Sequence, residues 1–169
     1  AVKRGDADAM LCGLEGRYIK HVRDIRSVLG VQDGVTDVSA LSMLIMQRGA
    51  FFLTDTYVNI DPSADEIVSI ALQARNHLKR FNIEARTALL SYSNFGSRDG
   101  ETAYKMREVY RKLKAIAPDM IVEGEMQGDL ALNEELRTRY IPDTVLKGEA
   151  NLLIFPNLEA ANLSMTLLK

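Results

Sequence analysis

Apolar positions change their spacing several times along this chain, and each change marks a new element. Val38 to Met46 and Ala50 to Thr54 are apolar runs separated by Gln47-Arg48-Gly49. A glycine between two such runs predicts an antiparallel hairpin. After the loop Asn59-Ile60-Asp61-Pro62, the segment Ser63-Ala64-Asp65-Glu66 has the spacing of a capping box. The Ser63 hydroxyl accepts from the Glu66 amide, and the Glu66 carboxylate reaches back. Behind it Ile67, Ile70, Ala71, Ala74, Leu78 and Phe81 recur at three- and four-residue spacing, which predicts an amphipathic helix. Thr87 to Leu90 is short and continuously apolar, as a strand covered on both faces is. A helix ended by Pro118 follows, with Ala103, Met106, Val109, Tyr110, Leu113 and Ile116 inward. Then come a strand at Met120-Ile121-Val122, a helix near Asn133 to Arg139 with Leu136 and Tyr140 inward, and a buried strand from Leu152 to Phe155. A final helix begins after Pro156-Asn157, and at the front Tyr18 to Leu29 also reads as helix.

Repeated strand, loop and helix predicts βα units on a mostly parallel sheet, an α/β fold. The early hairpin either makes the sheet mixed or forms a protruding arm. Right-handed crossovers bring the polar loops after the strands to one edge, at the carboxyl ends, where open α/β sheets bind ligands.

The loops carry the candidate chemistry. Ser91, Ser93, Asn94, Gly96 and Ser97 form a small, hydroxyl-rich loop ahead of a helix. Unpaired N–H groups and the helix dipole favour an anion there, and small residues let backbone approach a phosphate. The same residues can equally turn the chain and cap the helix. No Gly-Lys-Ser/Thr follows, so this is not a P-loop. Gly124-Glu125-Met126-Gln127-Gly128-Asp129 reads as the next polar loop. Glu123, Glu125 and Asp129 fit either magnesium ligands or a solvated acidic turn with Asp129 as a helix cap. No further carboxylate cluster supports a metal, and none is assigned. Asn157, Asn162 and Ser164 follow the last strand and either meet a ligand or tie neighbouring loops together. At the front, Gly5-Asp6-Ala7-Asp8 and Gly13 precede the first helix, and Arg4, Arg17 and Arg23 face either phosphates or solvent.

Composition narrows the class. The chain has 169 residues, 47% of them hydrophobic and 26% charged, an ordinary globular composition. Its net charge of −2 and isoelectric point near 5.8 disfavour nucleic-acid binding. The lone Cys12 excludes an internal disulfide and reads as packing, and His21 and His77 lack zinc-ligand spacing. No apolar run approaches the roughly 20 residues of a membrane span, and residues 1–10 lack a leader's apolar core. The expectation is a cytoplasmic protein. No Ser-His-Asp arrangement stands out, and no catalytic residue is assigned. Asn162 to Lys169 reads as a helix just begun, which suggests a piece of a longer chain; a natural helical end is the alternative.

Several stretches taken together resemble the phosphate acetyl/butyryltransferase family. They are Gly5-Asp6-Ala7-Asp8, Leu90-Ser91-Tyr92-Ser93, Gly124-Glu125-Met126-Gln127 with Asp129, and Gly148-Glu149-Ala150-Asn151 followed by Ile154-Phe155-Pro156-Asn157-Leu158. The finer pattern in Ser93 to Ser97, Gly124 to Leu132 and Pro156 to Asn162 is similar to the phosphotransacetylase-like C-terminal domain of bacterial NADP-dependent malic enzymes. The resemblance spans residues 1–169 and implies a three-layer α/β/α fold like that of isocitrate and isopropylmalate dehydrogenases. It implies a dimer or higher homo-oligomer, and acetyl-CoA or acetyl phosphate at the loop edge. The residues it would place there are Asp6, Asp8, Gly13, Arg17, Ser91, Ser93, Asn94, Gly96, Ser97, Gly124, Met126, Asp129, Asn157 and Asn162. The malic enzyme's NADP and divalent metal would belong to an upstream catalytic domain in the same parent chain. Two departures argue against acyl transfer by this chain. The family's catalytic Asp and its Ser-Arg pair fall beyond Lys169. Glu15-Gly16-Arg17-Tyr18 stands where the family has a Ser/Thr-rich turn, and Arg17 must offset Glu15 near CoA phosphates. The implied role is regulatory and acetyl-CoA-responsive. The alternatives are a fragment of a working phosphate acetyltransferase and a purely structural dimerisation domain.

Overall fold

The computed structural model describes residues 1–31, 35 and 38–169. The chain divides into two units, Ala1–Val38 and Ser39–Lys169.

The second unit is built on one sheet. Strand β1 (Ser42–Met46) turns into β2 (Gly49–Thr54), antiparallel, with Ser42 opposite Leu53 and Met46 opposite Gly49. There follow α2 (Ala64–Arg80), β3 (Thr87–Leu90), α3 (Glu101–Ile116), β4 (Val122–Met126), α4 (Gly128–Ala131), α5 (Glu134–Tyr140), β5 (Leu152–Ile154) and α6 (Leu158–Leu168). The first helix in the chain, α1, is Tyr18–Leu29 and lies in the other unit. The strand order is β1-β2-β5-β3-β4, and every pair except β1-β2 is parallel. The hairpin is therefore part of the sheet and makes it mixed.

Helices cover both faces. Ile67, Ala71, Ala74 and Leu78 of α2 and Met106, Val109 and Leu113 of α3 pack on one side with Phe52, Leu89, Leu152 and Ile154. Leu130 and Ala131 of α4 and Ala161 and Met165 of α6 pack on the other with Leu53, Ala88, Leu90 and Leu153. This is the three-layer α/β/α arrangement. Chains leaving β2 and β3 go to the first face, and those leaving β4 and β5 go to the second. Along the order β2-β5-β3-β4 the exits therefore alternate, and the carboxyl edge is splayed between neighbouring strands, the setting in which such sheets form crevices.

The capping box closes α2 as its sequence requires: Ser63 accepts from the Glu66 N–H, and Glu66 accepts from the Ser63 N–H at 2.6 Å. Several expectations need correction. Phe81, Ile116 and Tyr140 are exposed rather than inward. Phe81 caps α2, while Ile116 and Tyr140 are the last residues of their helices. In each case the apolar spacing runs past the edge of the layer it packs on. The strand expected at Met120–Val122 runs instead over Val122–Met126, so Gly124 and Met126 stand in a strand and not in a loop. Asp129 does not cap a helix; α4 starts behind Gln127, and the Asp129 carboxylate accepts from the next N–H, that of Leu130. The last helix begins at Leu158, behind Asn157, so Asn162 lies within it.

In the first unit a single 3-10 turn, Val2–Arg4, precedes α1. None of its described residues is buried. Leu11 and Leu14 are wholly exposed, and Cys12 is exposed rather than packed. Val2, Met10, Ile25, Val28 and Leu29 line a cavity of about 340 Å³. Among the described residues no helix is long and apolar enough to cross a membrane.

Candidate functional site

The residues expected at the ligand edge fall into separate groups. Asp6, Asp8, Gly13 and Arg17 belong to the first unit. Asp6 pairs with Arg4 at 2.9 Å, Asp8 is exposed, Gly13 has a positive φ, and Arg17 is the exposed residue ahead of α1.

In the second unit the loops after β3 and β4 are joined. The Ser91 N–H donates to the Met126 carbonyl at 2.9 Å, and the Phe95 N–H to the Glu125 carbonyl at 2.7 Å. Asn94 and Gln127 bond reciprocally. The Asn94 amide donates to Gln127 Oε1 at 2.9 Å, and the Gln127 N–H donates to Asn94 Oδ1 at 2.7 Å. Ser97 Oγ accepts from the Asn94 N–H at 2.9 Å and pins the turn. Ser91, Ser93, Asn94, Gly96, Ser97 and Met126 thus meet at the carboxyl end of β3 and β4.

At the centre of this group is Glu125, a residue the sequence offered as a magnesium ligand or as part of a solvated acidic turn, and which is neither. Its carboxylate is 1% exposed. A single oxygen, Oε1, accepts from Ser93 Oγ at 2.7 Å, the Gly96 N–H at 2.9 Å and Arg107 Nε at 3.1 Å. Burial pushes its pKa up, but the bonds from Ser93, Gly96 and Arg107 outweigh it, and the carboxyl is held below its ordinary value. Arg107 answers in kind: Glu125 raises its pKa, and its guanidinium also lies 5.0 Å from the Tyr104 ring. Backbone irregularity places the carboxylate there. Leu89 pairs with Gly124 and Leu90 with Met126, so Glu125 is skipped in the ladder. Such a bulge re-aims a side chain. Gly124 permits it, since it has φ +142 and a Cβ there would lie 2.6 Å from the Leu89 carbonyl oxygen.

Glu123, two residues earlier, faces other partners. It accepts from the Thr144 hydroxyl and from the Val145 N–H at 2.7 Å, and lies 3.9 Å from Arg137. Arg137 is fully buried and donates to the carbonyls of Leu130, Leu146 and Gly148 at 2.6–2.7 Å. The two glutamates and Asp129 are therefore aimed at separate internal partners. Among the described residues no three His, Cys, Asp or Glu side chains are grouped to hold a metal ion.

A further group stands at the carboxyl ends of β2 and β5. Asn157 caps α6, accepting from the Ala160 N–H at 2.9 Å, and Asn162 donates to the Thr56 carbonyl at 3.2 Å. Both amides act here as ties within the chain. Buried Asp55, which sequence reasoning missed, gathers the N–H groups of Ala40, Tyr57, Val58 and Asn59 at 2.9–3.1 Å. Thr56, Tyr57, Ile60, Leu158, Asn162 and Leu163 border an open cleft of about 330 Å³ beside it. An Asp after an apolar strand signals a turn, but not the number of amides it collects.

Comparison with known proteins agrees with this architecture. The chain is 56% identical to the NAD-dependent malic enzyme of Rhizobium meliloti over 100% of its own length, and 50% identical to the NADP-dependent malic enzyme of Haemophilus influenzae over 98%. It spans 22% of the length of each. The crystal structure of a phosphotransacetylase from Streptococcus pyogenes superimposes with a TM-score of 0.90 at 29% identity, covering 98% of this chain and 51% of that one. Residues 1–169 match the family described as phosphate acetyl/butaryl transferase. With the match unbroken from end to end and the sheet, layers and loop edge in place, this chain belongs to the phosphate acetyl/butaryl transferase family.

Proposed function

We propose that this chain is the regulatory, acetyl-CoA-responsive and oligomerising part of a malic enzyme whose separate catalytic domain oxidatively decarboxylates malate to pyruvate with a nicotinamide coenzyme and a divalent metal. The observation that carries this reading is the contrast in identity. Against two malic enzymes it is 56% and 50%, against a phosphotransacetylase of nearly the same fold 29%. NADP follows from the resemblance in sequence; of the two malic enzymes, one is described as NAD-dependent and one as NADP-dependent.

Within the second unit the ligand would meet the carboxyl edge, at Ser91, Asn94, Ser97 and Asp129 after β3 and β4 and at Asn157 and Asn162 after β5. Ser93, Gly96, Gly124 and Met126 shape that edge from within. In the first unit Arg17 would supply the cation for CoA phosphates, with Asp6, Asp8 and Gly13 shaping its loop. A ligand regulates only by binding one state of the parent better than another. A homo-oligomer, a dimer or larger, supplies such states through its interfaces, and the cytoplasm supplies acetyl-CoA.

The test uses the full-length parent. Acetyl-CoA, at constant malate and coenzyme, is expected to change the malate rate or KM, with no phosphate-dependent conversion of acetyl-CoA to acetyl phosphate. Phosphate-dependent turnover would instead favour the acyltransferase reading, to which the full-length family match lends support. Assembly with neither effect would leave a structural domain.

A further inference from the structure

We infer that Glu125 is a built-in anion: its carboxylate fills a place at the carboxyl ends of β3 and β4 where a hydroxyl, a backbone N–H and a guanidinium converge, and so closes that place to inorganic phosphate and acyl phosphates.

Three donors of different kinds meet on Oε1, namely a hydroxyl, a backbone N–H and a guanidinium, all at 2.7–3.1 Å. That set is what an oxyanion oxygen receives when a small-residue loop and an arginine hold it. The loop is bent for the purpose. Phe95 and Gly96 both have positive φ, at 47° and 86°, and in that turn the Gly96 N–H reaches Glu125 Oε1 while the Phe95 N–H goes to the Glu125 carbonyl. Ser93 is fully buried and holds its hydroxyl in place with help from the Arg98 N–H at 3.1 Å. Arg107 is positioned by the Arg98 carbonyl and by Asp99 at 3.6 Å. The occupant comes from the neighbouring strand, and the bulge at Glu125 is the device that delivers it.

The consequence is chemical selectivity. A phosphate dianion brought to these donors would have to displace a carboxylate tied to the backbone, or sit against it. Two anions at hydrogen-bond separation in a site of low dielectric repel strongly. The loop thus keeps the shape of an anion cradle while its charge is already balanced. A neutral part of a ligand can lie over it; a phosphoryl group cannot. This assignment does not depend on whether the chain senses acetyl-CoA.

The experiment is phosphate binding to the full chain, in chloride buffers of matched ionic strength, with wild type and Glu125→Ala compared by equilibrium dialysis of labelled inorganic phosphate. Glu125→Ala is expected to gain saturable phosphate binding, at least about tenfold tighter than any uptake by wild type, and Arg107→Met added to it is expected to abolish the gain. Equal affinity of wild type and Glu125→Ala would overturn the inference, as would no uptake by a folded Glu125→Ala. Should that variant fail to fold, the wild-type chain decides alone. Its Gly96 amide resonance is expected to show no saturable shift with phosphate at neutral pH, and a saturable shift would overturn the inference. Acetyl-CoA binding is measured separately, so failure here and failure of the sensor reading are distinguishable.

Discussion

Glu125 and Gly124 show how adjacent residues can do unlike work. The Glu125 carboxyl is held below its ordinary pKa, so it stabilises the fold above its unfolded value of about 4.3. That contribution is lost as pH falls through the lower folded value. Glu125→Gln is expected to cost about 1.5–3 kcal/mol at neutral pH. It should also flatten the acid side of the stability curve, read by urea unfolding across pH; an unchanged acid slope would show that the carboxylate adds nothing. Gly124 has both a positive φ and no room for a Cβ beside the Leu89 carbonyl. Gly124→Ala should therefore cost about 3 kcal/mol or more. Gly128→Ala, in the first turn of α4 with open space around it, should be neutral or gain about 0.5–1 kcal/mol. Unfolding curves of the pair separate these. Neither the role of Glu125 nor that of Gly124 was legible in the sequence. Two carboxylates flanking a glycine read as a polar loop, because what makes them tolerable in a strand is partners far away: Ser93 and Arg107 for one, Thr144 and Arg137 for the other.

At the scale of elements, local signals were most reliable where one segment contains its own explanation. The α2 capping box and its apolar face lie within Ser63 to Leu78, and both are present. Ser63→Ala should cost about 1 kcal/mol, measured by denaturant midpoint. The hairpin was equally plain from Gly49 between two apolar runs, although pairing starts at Ser42 rather than Val38. Helix ends were not, because spacing alone cannot say where the sheet beneath a helix stops; hence Phe81, Ile116 and Tyr140. Arg137 was also hidden, since an arginine in a short helix normally reads as solvated. Buried, it holds carbonyls at the end of α4 and in the segment before β5. Arg137→Met fits the space but leaves those carbonyls without a donor, and should cost about 3 kcal/mol. Hydrogen exchange should show faster exchange through residues 142–150 than through β3; unchanged protection there would argue against the tie.

Across the whole molecule, among the described residues, every buried core side chain lies in the second unit. Residues 1–31 supply amphipathic surface without a buried side chain among them. Trypsin is therefore expected to cut the free chain first around Lys20, Arg23 and Arg26, leaving a resistant product close to Ser39–Lys169. Early cleavage within α2 or α3 would contradict that division. The βα alternation announced a mostly parallel sheet and the loop edge, and left open whether the hairpin joins that sheet or stands out as an arm; it joins it. The insertion of β5 between β2 and β3 was not readable, because nothing local records which strands become neighbours. The four first-unit residues expected at a ligand site carry the same kind of non-local question, and ligand binding addresses it directly. The decisive measurement is calorimetric titration of acetyl-CoA into the full-length parent, with Arg17→Ala alongside. Saturable binding that the variant weakens is the predicted result. No heat of binding at millimolar acetyl-CoA would contradict the sensor role and leave assembly as the task of this domain.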